Sequence, residues 1–411
     1  MVQERRFQPS PRRLPRWSEF KELLQFRRPS LSRSQRIERA MTIADLRRLA
    51  RRRAPRAVFD YTDGAAEAEI SLRRSRAVYQ KVEFSPRVLR DVSEVDTSAT
   101  ILGKQSSLPL ALSPTGFTRM MHTQGEKAVA TAAVEMGIPY ALSTLGTTSI
   151  DDLASAVPGG EKWFQLYVWK DRGFAKELID RAQAHGYTAL VLTVDTPVAG
   201  IRLRDEYNGL TIPPRLTLKT LLDGALHPSW WMDFISTEPL TFATLSDTGG
   251  TVADLIDRVF DPSVDFDDVS WLKENWDGPV IIKGIQSIDD ARESVRRGAD
   301  AMIISNHGGR QLDRSPTTLE LVRPITEAIG EEAEVFVDGG ITNGADIAAA
   351  VALGARAAMV GRAYLYGLMA GGYQGVARAL EILATEYTRT LRLLGVRSTT
   401  ELEPGMVRLR T

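Results

Sequence analysis

Eight short apolar runs recur along the chain, and each one gives way to glycine or to a polar residue. They are LPLALSP (108–114), PYALST (139–144), WFQLYV (163–168), ALVLTVD (189–195), PVIIKG (279–284), AMIISNHG (301–308), EVFVDGG (334–340) and AAMVGRA (357–363). The runs are continuously apolar rather than alternating, the pattern of parallel strands buried on both faces. Between most of them lie helical stretches such as DDARESVRRGA (289–299) and GADIAAAVALGA (344–355). Eight strand–helix units predict a closed (β/α)8 barrel. A doubly wound open sheet is the alternative, and no GxGxxG follows the first strand to favour it.

Two segments depart from this repeat. Residues 1–40 are rich in Pro and Arg and read as an N-terminal extension to a barrel domain spanning 41–411. Thr42 can cap a helix whose apolar face carries Leu46, Leu49 and Val58. Between Asp195 and Pro279 lie more than 80 residues, where a strand–helix unit needs about 25–30. Residues 200–268 are therefore expected to be a lid inserted at the C-terminal end of the fourth strand, the rim where barrels carry out chemistry.

Charge and composition exclude several classes. The net charge is zero, which argues against a nucleic-acid binder. There are no cysteines, and the four histidines, His122, His185, His227 and His307, are too scattered for a metal site. No apolar run approaches the ~20 residues that span a bilayer, and residues 1–40 hold no secretory h-region. A cytoplasmic protein is expected. Residues 1–60 nevertheless hold 17 Lys or Arg against 6 Asp or Glu, a net charge of +11. This arm is either solvated or makes contact with an acidic partner or, peripherally, with anionic lipid on the inner face of the membrane. Trp230, Trp231, Met232 and Phe234 in the insertion pose the same choice, between packing on the barrel and meeting a membrane.

The candidate chemistry sits where strands end. The third strand ends in Gln165 and Tyr167, the fourth in Thr193 and Asp195, the fifth in Lys283. The sixth ends Ser305-Asn306-His307-Gly308-Gly309-Arg310, the seventh Asp338-Gly339-Gly340, the eighth Gly361-Arg362. On a barrel these ends converge on one mouth. Glycines after strands seven and eight, with Arg362, suit a phosphate. Lys283 offers a fixed cation, suited to offsetting negative charge on a reduced ring. Gln165, Thr193 and Ser305 offer hydrogen bonds to a polar heterocycle. His307 is a candidate base with Asp195 behind it. Arg310 and Arg202 can grip a carboxylate.

SNHGGRQLD (305–313) closely resembles the signature of the FMN-dependent L-2-hydroxy acid dehydrogenases and oxidases. That family includes glycolate oxidase, lactate oxidase, flavocytochrome b2 and mandelate dehydrogenase. The resemblance continues through FDYTDGAAEAE (59–69), SPTGFTRMMH (113–122), FQLYVWKDR (164–172), LTVDTPVAGIR (192–202), VIIKGI (280–285), VDGGI (337–341) and GRAYLYG (361–367), covering about residues 41–395 in order. Within the family the chain most resembles the actinobacterial L-lactate dehydrogenases.

The resemblance implies oxidation of L-lactate, or a similar small L-2-hydroxy acid, to the 2-oxo acid with FMN. It makes His307 the base, supported by Asp195. It gives the substrate carboxylate to Arg310 with Tyr61 and Arg202, and the hydroxyl to Tyr167. Ser143, Gln165, Thr193, Ser305 and Lys283 would contact the flavin, with Pro114, Thr115 and Gly116 packed on the ring. Asp338, Gly340, Gly361 and Arg362 would hold the ribityl and phosphate groups. A homotetramer is implied, and no metal. Two departures stand out: Thr342 occupies a place where much of the family has a phosphate-binding Arg, and Leu145 replaces the Trp of glycolate oxidases. No haem or dinucleotide domain is appended, so electrons are expected to leave to a separate acceptor such as a quinone. Gly116, where oxidases of the family usually carry Ala, favours this over the alternative, a peroxide-producing oxidase using O2.

Overall fold

The computed structural model describes residues 13–14, 16–24, 32–209, 223–238, 240, 242–243 and 260–410. Eight strands close into a barrel: β1 Leu110–Leu112, β2 Tyr140–Ser143, β3 Lys162–Leu166, β4 Ala189–Thr193, β5 Val280–Ile285, β6 Ala301–Ile304, β7 Glu334–Asp338 and β8 Ala357–Val360. Every neighbour pair is parallel, and β8 pairs with β1 to complete the ring. Six of the strands fall within one of the eight apolar runs and the other two overrun theirs by one residue, Lys162 at the start of β3 and Ile285 at the end of β5, because burial on both faces demands largely apolar residues.

Side chains alternate between the barrel axis and the surrounding helices. Ala111, Ala141, Ala189, Ala301 and Ala357 point inward, and their small size makes room for Trp163 and Phe336, which stack with centroids 5.8 Å apart. Leu110, Phe164, Leu190, Ile282 and Val337 point outward into the helix layer. A hairpin of Ala99–Ile101 and Lys104–Ser106 closes the N-terminal end. Its turn residues, Leu102 and Gly103, are both left-handed, as a tight two-residue hairpin requires. Ile101 enters the interior cluster, and the Leu102 amide donates to Glu334 Oε2 at 3.0 Å. With the bottom plugged, access to the interior is from the C-terminal ends of the strands.

Thr42 caps helix Ile43–Arg53 as expected, in a reciprocal capping box with Asp45. Val58, however, belongs to a second helix, Arg56–Asp63, because Pro55 cannot continue the first. Part of the expected extension is already docked. Helix Arg33–Glu38 buries Ile37 in the core, and Arg33 Nε donates to the Ala370 carbonyl at 2.8 Å.

The insertion contributes helices Leu203–Asn208 and Pro228–Ile235 before helix Asp267–Asn275 returns the chain to β5. Trp230 is buried, stacks on Phe234 at 4.8 Å and donates its indole N–H to the Met120 carbonyl at 2.9 Å. Arg53 and Asp233 pair across the same junction. Packing on the barrel therefore accounts for Trp230, while Met232 and Ile235, 62% and 64% exposed, face outward. Residues 210–222 and 244–259 of the expected lid lie outside the described residues. Among the described residues no helix is long and apolar enough to cross a membrane.

Candidate active site

The inward-facing positions of the barrel change character at the C-terminal ends of the strands. One step beyond Ala141, Trp163, Val191, Ile281, Ile303 and Phe336 in the two-residue repeat stand Ser143, Gln165, Thr193, Lys283, Ser305 and Asp338. All six are buried, so the barrel core ends in a polar floor. Above it lies a cavity of about 960 Å³ lined by Ser143, Lys283 and Asp338 together with Tyr61, Tyr167, Arg202, His307, Arg310, Gly340, Gly361, Arg362 and the segment Pro114–Gly116.

The floor is partly wired and partly open. Ser143 Oγ donates to Gln165 Oε1 at 3.0 Å. Lys283 Nζ donates to Ser305 Oγ at 3.0 Å and lies 3.5 Å from Asp338 Oδ2. Burial works against the Lys283 cation, but Asp338 and Asp195 outweigh it and raise its pKa, so the ammonium stays charged. Gln165 Nε2, Thr193 Oγ1, Ser113 Oγ and Asp338 Oδ1 are buried without a hydrogen-bond partner among the described residues. Orphaned groups in a native core are costly, and a polar heterocycle above the floor would satisfy them.

His307 follows β6 on a left-handed turn. His307, Gly308 and Gly309 have φ of 56°, 61° and 77°, and a Cβ at Gly309 would fall 2.8 Å from the Leu72 amide nitrogen. Asn306 fastens the turn by accepting from the Gly309 amide at 3.1 Å and donating to Ser75 Oγ and the Pro316 carbonyl at 3.3 Å. The His307 ring is thus brought to Asp195, Nδ1 to Oδ1 at 3.1 Å. Burial disfavours the Asp195 carboxylate, but His307 and Lys283 more than compensate and its pKa is lowered. A carboxylate accepting from Nδ1–H leaves Nε2 as the basic nitrogen.

Opposite stand two guanidiniums over one ring. Arg310 lies 4.9 Å and Arg202 5.5 Å from the Tyr61 centroid. Arg202 pairs with Asp205 at 2.7 Å. Arg310 Nη1 donates to the Tyr61 carbonyl at 2.5 Å, but among the described residues no carboxylate lies within ion-pair distance of it. Burial and the Arg202 charge push the Arg310 pKa down to about 10, which still leaves it cationic at neutral pH. Two half-buried cations with one counter-ion mark a place for an anion. Burial and the Asp195 charge raise the pKa of Tyr167, which therefore keeps its proton to donate.

At the far end of the cavity Gly340 has a φ of 83° and lies against Ser75, where a Cβ would come within 2.2 Å of the carbonyl oxygen. Gly361 differs: among the described residues a Cβ there would meet nothing nearer than 3.8 Å, which leaves that space free. Arg362 begins helix Arg362–Gly371 and donates to the carbonyls of Thr62, Gly64 and Gly308 at 2.8–3.0 Å. Thr342 offers less than its hydroxyl promises, since its amide and Oγ1 both turn to Asp346, at 2.8 and 3.3 Å. Thr115 Oγ1 and Tyr364 Oη, 2.5 Å apart, hold the Pro114–Gly116 segment. A methyl on Gly116 would come within 2.9 Å of Leu145 Cβ, so the two cavity-lining residues are coupled.

Phe242 and Phe260 were not foreseen. Phe260 stands edge-on to Tyr167 with centroids 5.6 Å apart, and Phe242 meets Phe117 at 4.4 Å. Both line the cavity. Single aromatics in an insertion without periodicity give no sign of direction, so the sequence carried no signal for them. Among the described residues no group of three or more His, Cys, Asp or Glu could hold a metal.

The chain is similar to known proteins over most of its length. The family model described as FMN-dependent dehydrogenase matches residues 50–409. A Mycobacterium tuberculosis protein, named provisionally as an L-lactate dehydrogenase, is 54% identical over 397 residues, covering 96% of each chain. An L-lactate dehydrogenase of Chromohalobacter salexigens is 40% identical over 365 residues, 87% of this chain and 93% of that one. Among solved structures, the monotopic membrane protein (S)-mandelate dehydrogenase superposes with a TM-score of 0.88 at 38% identity, covering 90% of this chain and 100% of that one.

Proposed function

The chain belongs to the FMN-dependent dehydrogenase family, and from that premise we propose that it oxidises L-lactate to pyruvate and passes the electrons to a quinone. The observation that carries the reading is the His307–Asp195 pair facing the Arg310 and Arg202 guanidiniums across one cavity. A small 2-hydroxy acid needs both: a base for its proton and cations for its carboxylate. The residues present fit FMN. Gln165 Nε2 and Thr193 Oγ1 await hydrogen-bond partners at the ring, and the space at Gly361 with the Arg362 charge suits the phosphate. FMN, when bound, supplies the acceptor for the two electrons that leave lactate.

In this reading Arg310 and Arg202 hold the carboxylate with Tyr61 beside them, and Tyr167 donates to the hydroxyl oxygen. His307 Nε2 takes a proton from the substrate. Asp195 fixes the tautomer and stabilises the imidazolium that results. Lys283, kept charged by Asp338 and Asp195, offsets negative charge at the edge of the ring system. Ser143 and Ser305 complete the polar floor, and Pro114, Thr115 and Gly116 form a wall against the ring. Asp338 and Gly340 serve the ribityl and phosphate groups. Leu145, with Phe242 and Phe260, bounds the space left for the substrate's side chain. L-lactate is chosen over other 2-hydroxy acids because the relatives at 54% and 40% identity carry that name.

Gly116 supports a separate acceptor rather than oxygen. Its φ is not left-handed, but a Cβ there would meet Leu145 Cβ at 2.9 Å and the Leu145 carbonyl oxygen at 3.0 Å, so close packing also calls for glycine. Its missing methyl lets Leu145 close against this wall, so an alanine there would shift one of the two and change the surface facing the ring. In stopped-flow reoxidation of lactate-reduced enzyme, a soluble quinone should outpace air-saturated buffer. Gly116→Ala should raise the oxygen rate by at least about tenfold, roughly 1.4 kcal/mol of barrier. Oxygen reaction that keeps pace with turnover would instead make the protein an oxidase.

A membrane quinone would be met at a lipid surface. The basic first 60 residues and the outward-facing Met232 and Ile235 support a peripheral contact, as does the monotopic mandelate dehydrogenase. The protein is expected to sediment with anionic vesicles at low salt and to be released as salt rises. Failure to sediment at low salt would remove this part of the reading.

A further inference from the structure

Position 342, where much of the family places a cation, contributes none here, and Asp346 takes both its amide and its hydroxyl. The helix Ile70–Tyr79 runs along the same end of the cavity and carries two arginines that line it, Arg73 and Arg76. Arg76 reaches the Gly340 carbonyl at 2.7 Å but is paired with Asp346 through both terminal nitrogens, which cancels its charge locally. Arg73 lies three residues earlier, on the same helix face. It donates Nη1 to the Ala68 carbonyl at 2.9 Å, which leaves most of its five N–H donors unused. Among the described residues no carboxylate lies within ion-pair distance of Arg73. The acids at this end are Asp346, committed to Arg76, and Glu386, whose pKa burial raises. Arg362 alone would therefore face a phosphate dianion.

We propose that Arg73 is the second cation of the phosphate site and supplies, from a different helix, the charge that Thr342 lacks. The inference rests on the FMN reading of this cavity. A long side chain on a helix surface can swing its charged fork to a phosphate oxygen while the ring end of the cavity stays untouched. Its contribution therefore belongs to FMN and not to riboflavin, which has the same ring and ribityl chain without the phosphate.

The test is titration of the cofactor-stripped full-length chain with FMN and with riboflavin, read by quenching of flavin fluorescence. Arg73→Gln should weaken FMN binding by about tenfold and leave riboflavin binding as in the wild type. Adding Thr342→Arg to Arg73→Gln should restore FMN affinity, since it returns a cation to the same phosphate. Unchanged FMN affinity in Arg73→Gln, equal losses for both flavins, or no recovery in the double variant would each overturn the proposal. A wild type that binds FMN no better than riboflavin would remove the phosphate site itself, a different failure visible in the same titration.

Discussion

Replacing His307 with glutamine should leave FMN bound and slow oxidation of L-lactate by at least about 100-fold, the usual worth of a positioned acid–base group. Glutamine keeps a polar side chain of similar reach but cannot take up a proton. The turn that carries it is fastened by Asn306 and by Gly308 and Gly309, not by the imidazole, so the fold has no reason to change. Cofactor contacts assigned to Gln165, Thr193, Lys283 and Arg362 do not pass through His307. Rapid mixing with L-lactate under anaerobic conditions reads the effect as the rate at which flavin absorbance is bleached. A wild-type rate in the variant would remove His307 from the role of base.

Arg310→Met should fail differently. It keeps an unbranched apolar stem and removes the cation that has no carboxylate partner among the described residues. KM for L-lactate should rise and kcat should fall, together costing kcat/KM roughly 100-fold or more, in line with about 3–5 kcal/mol for breaking a buried charge pair. Stability should move the other way or not at all. In the substrate-free protein, burial and Arg202 already press against the Arg310 charge and lower its pKa to about 10. Removing a cation that the fold disfavours costs the substrate-free protein little, a familiar trade between stability and activity. A thermal melt at unchanged or higher temperature, beside a collapsed kcat/KM, is the expected pair. A variant that melts earlier while binding lactate normally would assign Arg310 a structural role.

Much of this was legible in the sequence, for one physical reason. A parallel barrel buries each strand on both faces, so its strands stand out as unbroken apolar runs, and polar groups at their ends have only one place to converge. Lys283 and Asp338 could be picked out because they interrupt VIIKG and VFVDG at inward positions. The helix expected to run from Thr42 through Val58 broke at Pro55, where local chemistry overrode a continuing apolar pattern. Contacts between distant segments were not legible. Asp63 accepts from Arg47 at 2.5 Å, Tyr366 at 2.8 Å and Arg204 at 3.0 Å, joining three elements far apart in the chain. Phe242 and Phe260 reach the cavity by the same kind of tertiary placement. The missing cation at Thr342 could be read from the sequence. Its replacement could not, because only the packed helix Ile70–Tyr79 brings Arg73 to the same end of the cavity.

FMN held in this cavity is the oxidant for an L-2-hydroxy acid, L-lactate foremost. The most direct measurement mixes the purified yellow protein with L-lactate or with D-lactate in the absence of oxygen, follows the flavin absorbance, and then releases the cofactor with acid for mass analysis. Rapid, complete bleaching by L-lactate, none by D-lactate, formation of pyruvate, and a released cofactor with the mass of FMN are expected. Flavin that stays oxidised with L-lactate, or a released cofactor that is not FMN, would contradict this reading.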